Sequence, residues 1–420
     1  MREQKGYLFH KGQSWFCRYC DDVLQPDGTV KRKLVCKKLA VQYGGVYRTK
    51  ASVRPFAQEI LAPINRGAVN PASTQTVAEF VEKIYFPQYV EGLRPVTRKG
   101  YRMIWDKYLK SRREMSKLAL RDFHTIHGQQ LLNDIARQAR EAALSKKRNA
   151  GLSKNSLKHI KSFLSGVFAE AKRLDVLNAF NPMQGIKIPE AREEEETYAY
   201  SLDEVKRMLA VLKEPAWTVV LTAALTGLRK GEIRGLHWED FDGKELSVRR
   251  SVWNSIASEP KTKRSKAHIP VVKQLSDALE AHRQHMGKLA VGPIFQAGNG
   301  SHLNLENLAR RVIVPALSRC AVCRKAASEH MPEGHVFQLD KSLPRWHGWH
   351  AFRRGLATNL HQLGVADKTI QAILRHGNVG LTLNVYIKSV SESQVSAMDT
   401  LSEKLGICTD LATPSKGPVN

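Results

Sequence analysis

Four stretches of this chain concentrate side chains suited to handling phosphate. They are TAALTGLRKGEIRGLHWEDFD (222–242), EPKTKRSKAHIPV (259–271), WHAFRRGLATNLHQLG (349–364) and IQAILRHGNVGLTLNVYIK (370–388). Arginine grips a phosphate bidentately and stays charged at any relevant pH. A pair of arginines can neutralise the charge that develops on a pentacoordinate phosphorane. Lysine or histidine can give a proton to a departing hydroxyl oxygen. Tyrosine, with a free pKa of about 10, is a poor nucleophile alone but a useful one beside cations and a base. The sequence has no acidic cluster of the two-metal nuclease kind and no Walker-type glycine-rich loop. This inventory suits attack on a phosphodiester by a side chain, without a catalytic metal.

Composition points the same way. The chain has 420 residues, with 66 Lys and Arg against 40 Asp and Glu, a formal net charge of +26. A surplus of that size repels itself unless a polyanion neutralises it, which favours nucleic acid as the partner. No apolar run approaches the roughly 18 residues of a membrane span, and the first residues, MREQKGYLFHKGQSWF, lack the apolar stretch of an export signal. Six cysteines do not make a disulfide scaffold, so a reducing, cytoplasmic setting is expected.

Elements must hold those residues, and the length predicts two or three domains. Residues 1–60 read as strand-rich, with QPDG as a turn between β-prone runs and a basic second strand carrying Lys31, Arg32, Lys33, Lys37 and Lys38. NPASTQT (70–76) reads as a linker. A helical domain follows, opening behind Thr76 and including an apolar face at Leu157, Ile160, Phe163, Leu164, Val167 and Phe168. Lys154, Lys158 and Lys161 lie off that face, and the SKKRNAGLSKNS loop holds Lys146, Lys147 and Arg148; such basic flanks suit contact with a DNA backbone. Residues 181–201, with Pro182, Gly185, Pro189 and the acidic run Glu193 to Glu196, mark a boundary. Ser201 then caps a new helix, with Glu204 at the capping-box position. KELSVRRSVW is the expected partner of the strand at the end of the lysine-rich turn.

CAVCRKAASEHMPEGH (320–335) stands apart. Cys320 and Cys323 have C-x-x-C spacing, and His330 and His335 add two imidazoles, a Cys2His2 set of a kind that binds structural zinc. It falls where only a connection between helices is needed, so it reads as an insertion. Cys17 and Cys20 share the spacing without histidines and read as neighbours on a strand.

The four stretches resemble the tyrosine recombinase (phage integrase) family. TGLRKGEIRGLHWED is similar to its first arginine box, HAFRRGLATNL to its H-x-x-R box, LRHGNV…VYIK to its final histidine and tyrosine box, and PKTKRSKAHIP to the β-hairpin bearing its lysine. The order is kept from residue 229 to residue 386. The resemblance implies a multidomain, mainly α protein. Its parts would be a small basic β-rich arm-like module (1–65), a helical core-type DNA-binding domain (75–188), a mixed α+β catalytic domain, mostly helical with a small antiparallel sheet and a C-terminal helix (197–406), and a flexible tail (407–420). It implies a site-specific recombinase on duplex DNA, associated with the nucleoid and working as a homotetramer, that integrates or excises a mobile element without a catalytic cofactor. A decayed, non-cleaving DNA-binding regulator and a type IB topoisomerase are the alternatives.

Residue by residue, the resemblance makes Tyr386 the nucleophile on the scissile phosphate and Arg229 and Arg353 the clamp on its nonbridging oxygens. Lys261 would be the general acid for the 5′-oxygen, with Lys263 and Lys266 as competitors. His350 would be the base or a proton-sharing partner, and His376 would hydrogen-bond the phosphate. Glu232 is expected to orient Arg229; Trp238 and Trp349 are expected to pack. His376 and Tyr386 stand one residue further apart than is commonest in the family, which a longer turn before the tyrosine helix would absorb. Helical geometry separates the adjacent arginines. With Phe352, Leu356, Leu360 and Leu363 as the apolar face, Arg353 is expected at its margin and Arg354 towards solvent or DNA.

Overall fold

The chain divides into two compact units, Met1–Glu195 and Glu196–Asn420. The structure, a computed structural model, describes residues 3–25, 27–42, 46–145, 151–192, 197–254, 256–258, 268–287, 290–331 and 334–375. Lys146, Lys147, Arg148, Lys261, His376, Tyr386, the Glu193 to Glu196 run and the expected C-terminal helix and tail lie outside the described residues.

The first unit opens with an antiparallel meander, β1 (Tyr7–Lys11), β2 (Ser14–Leu24) and β3 (Val30–Val41). Alternation along β2 buries Trp15, Cys17, Tyr19 and Asp21 on one face, as a two-residue period requires. Helix α1 (Lys50–Asn65) covers that face with Val53, Ala57 and Leu61, four residues apart. The sequence reading of this module as β-rich contained no such helix, which forms with Pro55 and Pro63 inside it. Thr49 and Ser52 cap it reciprocally.

NPASTQT is not a loose linker. Asn70 caps a 3-10 turn at Pro71–Thr74, Ser73 is buried, and Thr74 Oγ1 accepts from the backbone of Leu24 at 3.0 Å. Asp21 pairs with Arg121 and Lys37 with Asp122 at 2.7 Å, so the sheet is joined to the helices that follow. These are α2 (Val77–Phe80), continued by a π-helical stretch Val81–Tyr89, then α3 (Pro95–Ile104), α4 (Arg113–Lys117), α5 (Thr125–Leu144) and α6 (Lys154–Arg173). All six expected apolar residues of α6 are buried against Phe80, Tyr85, Trp105 and Leu131. Lys154 and Lys158 are exposed, whereas Lys161 turns back to donate to the Ile186 carbonyl at 2.7 Å.

The second unit contains α7 (Leu202–Leu209), α8 (Ala216–Thr226), α9 (Lys230–Arg234) and short strands β4 (Glu245–Ser247), β5 (Ser251–Trp253), β6 (Ile256–Ser258) and β7 (His268–Pro270). Helices α10 (Lys273–His285), α11 (Leu305–Leu308), α12 (Val314–Leu317), α13 (His350–Gln362) and α14 (Asp367–Leu374) follow. Strand β4 pairs with β7, Leu246 opposite Ile269, as the sequence predicts; β5 and β6 form a separate hairpin. Helix α8, AWTVVLTAALT, is apolar all round and lies in the middle of the unit against α7, α10 and α13. Its buried threonines are satisfied within the helix, Thr222 donating to the Thr218 carbonyl at 2.8 Å and Thr226 to that of Thr222 at 2.6 Å. The architecture is mainly helical with small antiparallel sheets, the class the sequence predicts.

Candidate functional site

Helix α8 ends at Gly227, which takes the left-handed conformation (φ 58°). A side chain is excluded there twice over. The backbone favours glycine, and a Cβ would lie 2.9 Å from Leu356 of α13 and 3.0 Å from Leu374 of α14. The turn delivers Arg229 in extended backbone at the start of α9. One turn on, the buried Glu232 carboxylate accepts the Arg229 backbone N–H at 3.0 Å and its guanidinium at 2.8 Å. Glu232 therefore orients Arg229, whose side chain is still 42% exposed.

The same carboxylate accepts from Arg375 Nη2 at 2.9 Å. Arg375 ends α14 in the left-handed conformation (φ 55°), and its Nε and Nη1 are buried without a hydrogen-bond partner among the described residues. Burial alone would raise the Glu232 pKa; the Arg375 charge, the Arg229 backbone N–H and the Arg229 charge together hold it below the ordinary carboxylate value. Arg375 was not among the sequence-predicted residues. A lone basic residue at a helix end is too common a feature to single out, and only the folded chain shows that it shares Glu232.

Arg353, expected at the margin of the apolar face of α13, is buried. It is 2% exposed, donating through Nη1 to the Gly227 carbonyl at 2.7 Å and through Nη2 to the Leu374 carbonyl. It therefore bridges the C-terminal ends of α8 and α14, where unsatisfied carbonyls and helix dipoles favour a cation. Burial, then the charges of Arg229 and Arg375, push its pKa down, with Glu232 opposing. A guanidinium starts high enough to stay charged at neutral pH.

His350 opens α13 and has one side open to solvent. Partial burial and then the charges of Arg354, Arg353 and Arg229 hold its pKa down at about 4, so the imidazole is neutral at pH 7. Arg354, expected to point to solvent, instead folds back and donates Nε to the Tyr198 carbonyl at 2.6 Å. Further along the helix Asn359 donates to the Tyr200 carbonyl at 3.1 Å, and together the two side chains hold residues 198–200 along α13. Leu363, expected on the apolar face, is exposed because the helix ends there. Trp238 and Trp349 are packed in the core.

The structure thus gathers Arg229, Arg353 and His350, with Glu232 and Arg375, at one place in the second unit. Arg229 and Arg375 contact the Glu232 carboxylate and Arg353 is held by two backbone carbonyls, so three guanidinium cations are gathered around one carboxylate. Lys31, Arg32 and Lys33 are exposed on β3, in the other unit, as are Lys154 and Lys158. None of the described helices is long and apolar enough to cross a membrane.

Away from this site, the one group of three or more His, Cys, Asp or Glu side chains among the described residues that could share a metal ion is Cys320, Cys323, His330 and His335. Their ligand atoms lie within 4.8 Å of one another. Cys17 and Cys20 are neighbours on β2, as expected.

Comparison with known proteins places these features. The family described as the phage integrase family matches residues 200–392, the span that contains the whole site. A XerC-like tyrosine recombinase of Caldanaerobacter subterraneus subsp. tengcongensis is 25% identical over 379 residues, covering 85% of this chain and 90% of that protein. The ICEBs1 integrase of Bacillus subtilis (strain 168) is 30% identical over 265 residues, covering 61% of this chain and 67% of its own length. Among solved structures, the Tn1549 transposon integrase in complex with transposon right end DNA is similar in fold, with TM-score 0.58 at 18% identity over 78% of this chain and all of that one. A lambda integrase dimer bound to a core site matches with TM-score 0.50 at 16% identity, covering 76% and 97% of the two chains. On the sequence boxes, the site they build and these relatives, the chain belongs to the phage integrase family of tyrosine recombinases.

Proposed function

We propose that this protein is a site-specific recombinase that cuts and rejoins duplex DNA to integrate or excise a mobile element. The observation that carries this reading is the convergence of Arg229, Arg353 and His350 at the ends of α8 and α14, from segments far apart in sequence. In the proposed reaction the Tyr386 oxygen attacks the scissile phosphorus and its proton passes to His350, which is neutral and so free to accept it. The P–O5′ bond breaks, Lys261 protonates the leaving oxygen, and a 3′-phosphotyrosyl enzyme and a 5′-hydroxyl result. Arg229 and Arg353 balance the charge of the phosphorane, and His376 hydrogen-bonds the phosphate. Rejoining reverses these steps with a new 5′-hydroxyl, so bond energy is conserved and no nucleotide cofactor is consumed.

The helical part of the first unit would grip the core of the DNA site, with Lys154, Lys158 and the loop lysines on its backbone and the basic β3 residues on a second contact. A homotetramer on paired sites is the proposed working form; the lambda integrase dimer at a core site supports assembly of several protomers on DNA. A nicked suicide duplex carrying the cognate site tests the chemistry. Wild-type protein should become covalently joined to DNA, and Tyr386→Phe should not. Absence of any covalent complex with wild type at its cognate site would leave a non-cleaving regulator as the better reading.

A further inference from the structure

Between α12 and α13 the chain makes an excursion over residues 319–340 that has almost no core of its own. Among its described residues only Cys320 is buried, while Val322, Met331 and Val336 are 58%, 67% and 82% exposed. A segment this small cannot hold its shape by apolar burial and needs another tie.

Its base is closed by backbone contacts. Asp340 N donates to the Arg319 carbonyl at 3.0 Å, Ala321 N donates to that of Gln338 at 2.7 Å, and the Arg319 and Asp340 side chains pair at 3.4 Å. Cys320 to Cys323 then form a tight turn. Arg324 takes a left-handed conformation (φ 59°), its N–H donates to the Cys320 carbonyl at 2.9 Å, and Cys320 N donates to that of Lys325 at 2.8 Å. The turn sets Cys320 and Cys323 on one tight loop of backbone.

The returning limb of the excursion brings the histidines to the Cys320 sulfur. His335 Nε2 lies 3.2 Å from Cys320 Sγ and 3.2 Å from His330 Nε2, and Cys323 Sγ completes a group spanning at most 4.8 Å. A tetrahedral zinc with Zn–S of about 2.3 Å and Zn–N of about 2.0–2.1 Å sets its nitrogens about 3.3 Å apart and sulfur to nitrogen about 3.5 Å. The His335–Cys320 and His335–His330 separations agree within a few tenths of an ångström, while the 4.8 Å span of the whole group exceeds the roughly 3.8 Å of a tetrahedral sulfur pair, so the ion would draw the ligands together by about 1 Å. Four electron-pair donors facing one another are stabilised by a cation between them, and this soft sulfur and nitrogen set selects zinc over magnesium or calcium.

We propose that Cys320, Cys323, His330 and His335 bind one Zn(II) ion tetrahedrally, and that the ion folds residues 319–340. The site has no position open for a substrate, so the role is structural. It acts on the approach to α13: the excursion leads into residues 345–347, where Tyr200 donates its hydroxyl to the Arg345 carbonyl at 3.1 Å and accepts the His347 N–H at 2.6 Å. This proposal does not depend on DNA cleavage.

Metal analysis of the full chain, purified without added metal, should find about one zinc per molecule. Cys320→Ser and, as a milder change at a half-exposed ligand, His335→Ala should each lose it. Replacing zinc by Co(II) should give the visible bands of a tetrahedral thiolate site, absent in both variants. Chelated wild type should be cleaved by protease within 320–340 on the order of tenfold faster than the zinc form. Wild type with well under one equivalent of zinc, or variants that retain it, would overturn the site. Equal proteolysis with and without metal would overturn the folding role.

Discussion

A single buried carboxylate organises the charged residues of the site. Glu232 accepts from Arg229 on one side and Arg375 on the other, so two cations are held in place although they repel each other. Removing the carboxylate would leave that repulsion unbalanced in a buried setting, which is costly. The same field acts on His350. Its free-chain value is about 6.5 and its folded value about 4, so between those limits the unfolded chain binds a proton that the native chain does not. Stability from this group is therefore complete above about pH 6.5 and is lost as pH falls towards 4, the sign for a base whose pKa is depressed. An NMR titration of the free protein should find the His350 ring neutral through pH 5–7 and titrating near 4. Addition of a DNA duplex should move that titration upwards, because a phosphate opposes the guanidinium charges. A ring titrating near 6.5 in the free protein would remove the basis for treating it as a neutral base.

At the scale of elements, α13 is held against residues 198–200 by three residues whose roles differ. Arg354 and Asn359 supply hydrogen bonds, and Gly355 supplies absence: a Cβ there would lie 2.3 Å from the Tyr200 carbonyl oxygen, which is backbone and cannot step aside. Gly355→Ala is expected to destabilise the second unit by about 1–3 kcal/mol, the usual cost of overpacking. Arg354→Ala should cost about 1 kcal/mol through the lost hydrogen bond, with cleavage per folded molecule largely kept. Urea unfolding of both variants measures this, and changes under about 0.5 kcal/mol in both would mean the contact is not held as described. The contrast with the sequence reading is instructive. The Thr76 and Ser201 caps, the α6 face and the β4–β7 pair were legible because each rests on local pattern: a cap three residues before its glutamate, an apolar period, two β-prone runs. The order of the boxes likewise pointed to Arg229, Arg353 and His350. Helical periodicity placed Arg353 near the core but could not show that it bridges two helix ends, because its partners are carbonyls, which every residue carries. Arg354, Gly355 and Arg375 were illegible for the same reason: what they touch is set by tertiary approach. Helix α1 was not read from the sequence; its Val53, Ala57 and Leu61 face packs on the sheet although Pro55 and Pro63 lie within it.

For the molecule as a whole, a net charge of +26 makes DNA binding strongly dependent on salt. The proposed backbone contacts at Lys154 and Lys158 make this measurable at named positions. Both are exposed, and their four-residue spacing puts them on the same face of α6, one turn apart. The apolar residues of that helix are buried on its other side, so replacing the two lysines should not disturb its packing. Each phosphate neutralised contributes about 0.9 to the slope of log affinity against log salt concentration, so Lys154→Gln with Lys158→Gln should flatten that slope by about 1.8. Backbone contacts position a protein without reading bases, so the loss should be equal on the cognate site and on an unrelated duplex. Fluorescence anisotropy between roughly 50 and 200 mM salt resolves a change of that size. Parallel salt plots for variant and wild type would place the phosphate contacts elsewhere on the first unit. A loss confined to the cognate site would instead assign these lysines to base recognition.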